Sequence, residues 1–169
     1  MKKLSILLSL VAILSIASFT AKAQVKATAE ASANIVGPIS ITKSVDLSFG
    51  NVAVSPTLAG TVVLGPASTR TKTGGVTLPV LAGTVTAAKF TVAGEAGTTY
   101  SITLPAAFTI TGAGTPMTID NFVSTPSATG SLASGTEDIF VGGTLNVAAG
   151  QVSGLYTNTT DLVVTVNYN

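Results

Sequence analysis

The sequence contains no cysteine, no histidine and no tryptophan. Without cysteine there is no thiol nucleophile, no thiolate metal site and no disulfide. Without histidine the usual general base and the commonest metal ligand are both missing. The absence of tryptophan, with only three tyrosines, argues against the exposed aromatic platform on which sugar rings usually stack. Charge is also scarce: Asp, Glu, Lys and Arg are 9% of the chain. An enzyme is therefore the least favoured class, and no cofactor or metal is expected. So sparsely charged a chain suits association with other protein or a wall better than solitary life in the cytosol.

What the chain does have begins with a leader. Lys2 and Lys3 precede an apolar run from Leu4 to Phe19, and Ala21-Lys22-Ala23 makes a small-x-small cleavage site. The pattern predicts a signal peptide over residues 1–23, too short for a membrane span, and hence an exported protein in the periplasm or at the cell surface. Its removal leaves five basic residues against seven acidic ones, a net charge of about −2. The basic residues are few and scattered, which excludes a nucleic-acid surface. Without disulfides, such an exported domain must hold itself together by packing and backbone hydrogen bonds.

Directly after the leader, Val25 to Ile35 alternates without a break. Val25, Ala27, Ala29, Ala31, Ala33 and Ile35 are apolar; Lys26, Thr28, Glu30, Ser32 and Asn34 are polar. That is the period of a strand with one face on a core. A short helix or a frayed tail is the competing reading, because alanine favours helix and is depleted in strands. The chain divides into residues 24–33, an N-terminal strand or donor extension, and residues 34–169, a single β-sandwich domain.

Further strands are expected at Ile39–Ile41, Val45–Phe49, Thr61–Leu64, Val76–Leu81, Phe108–Ile110, Met117–Ile119, Ile139–Val147 and Leu162–Tyr168. Lys89–Val92 and Tyr100–Leu104, around Gly94 and Gly97, read as the best hairpin in the chain. Gly142-Gly143 is either a hairpin turn or a bulge in one long strand, and the bulge is favoured. Ser68–Lys72 reads as polar and exposed, and Ser124–Gly135 as a loop of small residues. Turn signals recur every eight to twelve residues and no helix is convincing after the leader. The fold class is all-β: an immunoglobulin-like antiparallel sandwich with Greek-key connections, with a barrel as alternative. Phe49, Phe90, Tyr100, Phe122 and Phe140 are the expected aromatic core.

The polar residues offer little chemistry. Glu137-Asp138 is the one adjacent acidic pair and reads as a solvated turn rather than part of a calcium loop. Arg70 reads as a solvated hairpin charge, and the glycines near 94 and 112 as turns rather than phosphate cradles. Lys43 or Lys89 in an isopeptide bond is disfavoured, since nothing brings an Asn and an acid to either. Asn158-Thr-Thr160 matches a glycosylation sequon of the kind that arises by chance. Tyr156, after Gly154, is expected to pin a bend through its hydroxyl.

The alternating N-terminal stretch, Asp46–Asn51, Thr99–Leu104, Met117, Gly154–Tyr156 and Val163–Tyr168 occur in an order that resembles an uncharacterised bacterial secreted-domain family. That family in turn is similar to the spore coat protein U domain and the archaic chaperone–usher pilins. The resemblance implies a sandwich lacking one strand, the gap being filled by a periplasmic chaperone and later by the N-terminal extension of the next subunit. On that basis Val25, Ala27, Ala29 and Ala31 would be donor residues. Leu162, Val164, Val166 and Tyr168 would line the acceptor edge and serve the chaperone. The partners implied are neighbouring copies, with a chaperone and usher, and head-to-tail addition of this kind makes a fibre. The alternative is a monomeric exported sandwich, with its first strand paired within its own domain, that binds a cell-wall component or a partner protein.

Overall fold

The computed structural model describes residues 24–169, so the leader expected over residues 1–23 lies outside the described residues. Ile35–Asn169 forms one compact unit, and Gln24–Asn34 is no part of it. No helix occurs among the described residues.

Twelve strands follow in order: β1 (Ser40–Val45), β2 (Ala53–Val54), β3 (Gly60–Leu64), β4 (Arg70–Gly74), β5 (Val76–Thr77), β6 (Ala88–Ala93), β7 (Thr98–Thr103), β8 (Ala107–Ile110), β9 (Met117–Thr125), β10 (Thr129–Leu132), β11 (Thr136–Val147) and β12 (Thr165–Tyr168). All pairings are antiparallel, and the chain is a β-sandwich. The larger sheet runs β1-β6-β11-β3-β4, with the β8–β9 hairpin joined to β11; the smaller runs β10-β7-β12; β2 and β5 form a third, two-stranded patch.

β11 organises the larger sheet. Its first half, Thr136–Val141, pairs with β6 and its second, Gly143–Val147, with β3, while β9 pairs along Phe140–Asn146. Since β9 shares partners with both, it must lie on the opposite side of β11 from β6 and β3. The ladder with β9 slips between Gly142 and Thr144. The extra residue comes from β9, where Asn121 takes a positive φ of 47°. One long strand with a bulge is thus the correct description of the Gly142-Gly143 region, but the partner strand bulges. Both glycines are needed there. A Cβ on Gly142 would stand 2.1 Å from the Leu64 carbonyl, and one on Gly143 would stand 3.0 Å from the Phe122 ring.

The core has two parts. The first lies between the sheets and includes Phe90, Val92, Tyr100, Ile102, Leu132, Ile139, Val141, Val164 and Val166. The second covers the other half of the larger sheet: Phe49, Val62, Leu64, Val76, Met117, Ile119, Leu145 and Val147. The β10-β7-β12 sheet contributes nothing to that half, which is roofed by Leu47–Val54, by Val76 of the short β2–β5 pair and by the bend before β12.

Several expectations need correction. Lys89–Val92 and Tyr100–Leu104 are not a hairpin. β6 pairs with β1 and β11, and β7 pairs with β10 and β12. The Gly94–Gly97 corner carries the chain from one sheet to the other, so Phe90, Val92, Tyr100 and Ile102 meet across the core rather than across a ladder. Alternation places side chains on a face but does not say which neighbour accepts the backbone. Ser124–Gly135 contains β10, while Ser68–Lys72 is exposed as expected, apart from half-buried Arg70, and runs into β4. Val45–Phe49 is reduced to the last residue of β1 and one bridge, Ser48 to Thr86, and Val76–Leu81 to two residues. Phe140 is 36% exposed; it faces outward with the Lys89 ammonium 5.7 Å from its ring centre.

Candidate functional site

One end of the sandwich is closed by polar ties. Tyr100, wholly buried, donates to Glu137 Oε2 across the two sheets (2.8 Å), and the Ser131 amide donates to the same oxygen (2.7 Å). Glu137 therefore sits in β11 as a bridge, not in a solvated turn. The Tyr168 hydroxyl accepts from the Glu95 amide (2.7 Å) and donates to the Gly37 carbonyl (3.1 Å). It thereby joins the Gly94–Gly97 corner to the start of the domain. Asp138, the other half of the acidic pair, bonds the Lys89 ammonium (2.9 Å) and the Thr91 hydroxyl (2.7 Å) on the outer face. These two donors, Lys89 first, hold its carboxyl below the usual range.

The other end is open. A groove of about 980 Å³ enters the second core there. Its floor includes Phe108, Ile110, Met117, Ile119, Leu145 and Val147, all from the half of the larger sheet to which the β10-β7-β12 sheet contributes nothing. One wall is Asp46–Val54 and the other is Gln151–Thr159 with Leu162, and among the described residues only two charged side chains, Lys43 and Asp46, line the whole. They pair with each other at the rim. The far wall is bent as expected from the sequence: the Tyr156 hydroxyl donates to the Val152 carbonyl (2.8 Å). Thr160 and Asn158 hold the Asp161 carboxyl below its ordinary range just beyond the far wall.

Unpaired main chain is offered by the near wall and by β12, whose edge runs on from the far wall towards the closed end. β12 is an edge strand, bonded to β7 alone. The Asn169 amide donates to the Thr99 carbonyl, and antiparallel ladders alternate, so Thr165, Asn167 and Asn169 face β7. The amides and carbonyls of Val166 and Tyr168 therefore face away from it. On the near wall, Ser48 exchanges both backbone bonds with Thr86. Among the described residues, the Leu47 amide and carbonyl and the Phe49 amide have no partner.

The near wall is held from behind. Arg70 Nη1 donates to the Phe49 carbonyl and to the Asn51 carbonyl, the latter at 3.0 Å. Arg70 is therefore a clamp and not the solvated charge expected of it. Sequence reasoning missed it because the contact joins residues about twenty apart through main-chain oxygens, which no side-chain motif records.

The sequence-predicted residues fall into three groups. Leu162 lines the groove. Val164 and Val166 are buried in the first core, with their edge continuing from the groove, and Tyr168 is half-buried with its hydroxyl engaged as above. The strand at this edge is shorter than Leu162–Tyr168, beginning only at Thr165. Val25, Ala27, Ala29 and Ala31 lie in no strand of the chain: Gln24–Asn34 carries no regular structure and every residue of it is exposed. Among the described residues, no three or more acidic, His or Cys side chains gather where they could hold a metal.

A family model described as "Domain of unknown function (DUF4402)" matches residues 39–168. No curated protein and no solved structure matches the chain.

Proposed function

The chain belongs to the family of the domain of unknown function DUF4402, and from that premise we propose that it is a structural subunit of a bacterial surface fibre or coat, built by strand addition between copies. The observation that carries the reading is a complementary pair within one sequence. The groove has an apolar floor between walls of mixed polarity, its near wall carries free main-chain groups at Leu47 and Phe49, and the open edge of β12 runs on from its far wall. The segment Gln24–Asn34 is extended in pattern, apolar on one side and unpaired. In strand addition the main chain supplies affinity and alternate side chains seat in the receiving cleft. Val25, Ala27, Ala29 and Ala31 of one copy would face the groove floor of the next, with Lys26, Thr28 and Glu30 in water. The small alanine side chains let a strand lie close over a floor of phenylalanine, leucine and methionine.

This reading agrees with the resemblance to spore coat protein U and to the archaic chaperone–usher pilins, and it brings in an export chaperone and usher as partners before assembly. A donor that leaves one copy and enters the next does not close on itself, so the product is a filament. Size-exclusion chromatography with light scattering on the exported protein tests it, with and without residues 24–34. The expected result is a ladder of oligomers that survives in unboiled SDS samples and disappears with the deletion. A wild-type protein that stays monomeric at every concentration, or oligomers indifferent to the deletion, would leave a solitary exported sandwich as the better description.

A further inference from the structure

The near wall of the groove is the part of the sandwich least supported by sheet. Between β1 and β2 it is attached by the Ser48–Thr86 bridge, by the Ser48 and Thr86 hydroxyls to the Thr84 and Asp46 carbonyls, and by Asn51 to the chain at Leu81 and Ala82. Among the described residues, the one ionised group that touches its main chain is Arg70, from β4 at the far edge of the larger sheet. Its guanidinium takes the carbonyls of Phe49 and Asn51 together. Phe49 is thereby fixed with its ring inward, 8% exposed, while the Leu47 amide and carbonyl and the Phe49 amide are left over for another strand.

We infer that Arg70 is the positioning residue of the groove: it holds the near rim in the extended form that an added strand can pair with. It also ends the ladder there, because the Phe49 and Asn51 carbonyls are already occupied. This rests on the strand-addition reading above and adds to it the residue that sets where pairing stops. A planar guanidinium can serve two carbonyls at once, whereas an ammonium on a flexible stem is a point donor. Lysine is therefore a partial replacement and methionine none.

The test uses the exported full-length mature protein and a fluorescent synthetic peptide of residues 24–36, with binding followed by polarisation and the rim by amide exchange. Arg70→Met is expected to weaken peptide binding about tenfold, the loss of hydrogen bonds to a charged donor. Arg70→Lys should recover part of that loss. Exchange in Arg70→Met should quicken at the Ser48 and Asn51 amides but stay as in the wild type at Val92 and Ile139, since those amides belong to β6 and β11, which do not pair with β4. Binding by Arg70→Met within twofold of the wild type overturns the inference alone. So does exchange that quickens equally across β3, β6 and β11, because that would mean a general loss of stability. A wild-type protein that binds no peptide at all removes the strand-addition reading, and this inference with it.

Discussion

Replacing Tyr100 by Phe removes one hydroxyl from the closed end of the sandwich and nothing else. The ring stays in the first core, where it is completely buried, so no cavity term enters. What is lost is the 2.8 Å bond from the Tyr100 hydroxyl to Glu137. A hydrogen bond to an ionised carboxylate contributes about 1.5–3 kcal/mol. Glu137 keeps the Ser131 amide, so the carboxylate is not orphaned and the loss belongs near the lower end, about 2 kcal/mol. With a urea slope of about 2 kcal/mol/M the midpoint should fall by about 1 M. The pH dependence gives a second reading of the same bond. Burial first, and then the Glu137 carboxylate, raise the Tyr100 pKa well above that of a free phenol. The unfolded chain therefore ionises first. The stabilisation is complete below about pH 10 and is lost as pH rises above that value. Urea titrations from pH 7 to pH 11 should show wild type and Tyr100→Phe about 2 kcal/mol apart at neutral pH and converging at the alkaline end. A variant within 0.5 kcal/mol of wild type at pH 7, or two curves that stay parallel to about pH 11, would refute the reasoning.

Ala29→Asp in the exposed N-terminal segment should abolish oligomers in light scattering while leaving the urea midpoint of the monomer unchanged, since an exposed change costs little until the strand is buried. Gly142→Ala should destabilise by about 3 kcal/mol in the same denaturation assay, because the new methyl meets a backbone carbonyl that cannot step aside. Tyr156→Phe removes the bond to Val152; it should cost about 1 kcal/mol and speed amide exchange in the bend before β12. Asp138→Asn should flatten the acid limb of stability. The folded carboxyl titrates below its unfolded value, so its contribution is present above about pH 4 and is lost as pH falls further, which an acid titration followed by circular dichroism would register.

The faces of this fold were legible in the sequence and its pairings were not. Alternation correctly marked Phe90, Val92, Tyr100, Ile102, Val164 and Val166 as inward, because side-chain period depends on the strand alone. It could not show that the Gly94–Gly97 corner changes sheets, because a hairpin and a corner require the same glycines. β4, Arg-Thr-Lys-Thr-Gly, was missed because it is an edge strand with nearly every residue exposed, and so it carries no apolar signal. β10 escaped for a related reason: Gly130 stands where a Cβ would strike the Tyr100 ring, so a glycine fills a core position. Phe140 misled because β11 turns its even residues outward, and one of them is aromatic. Of the candidate site, the inward face of Val164 and Val166 could be read from the sequence. The groove itself could not, since it is made by a sheet half that the smaller sheet does not cover and a rim held by a distant arginine.

β11 reaches from the sewn end of the sandwich to the open one, and this has a mechanical meaning for a filament. Pull on such a chain would enter each subunit near Gly37, beside the Tyr168 clasp, and leave through whatever strand lies in the groove at the opposite end. A twelve-residue strand spanning that distance, flanked by β6 and β3 on one side and β9 on the other, would take the strain lengthwise. Its ladder bonds would then resist together in shear instead of opening one after another like a zip.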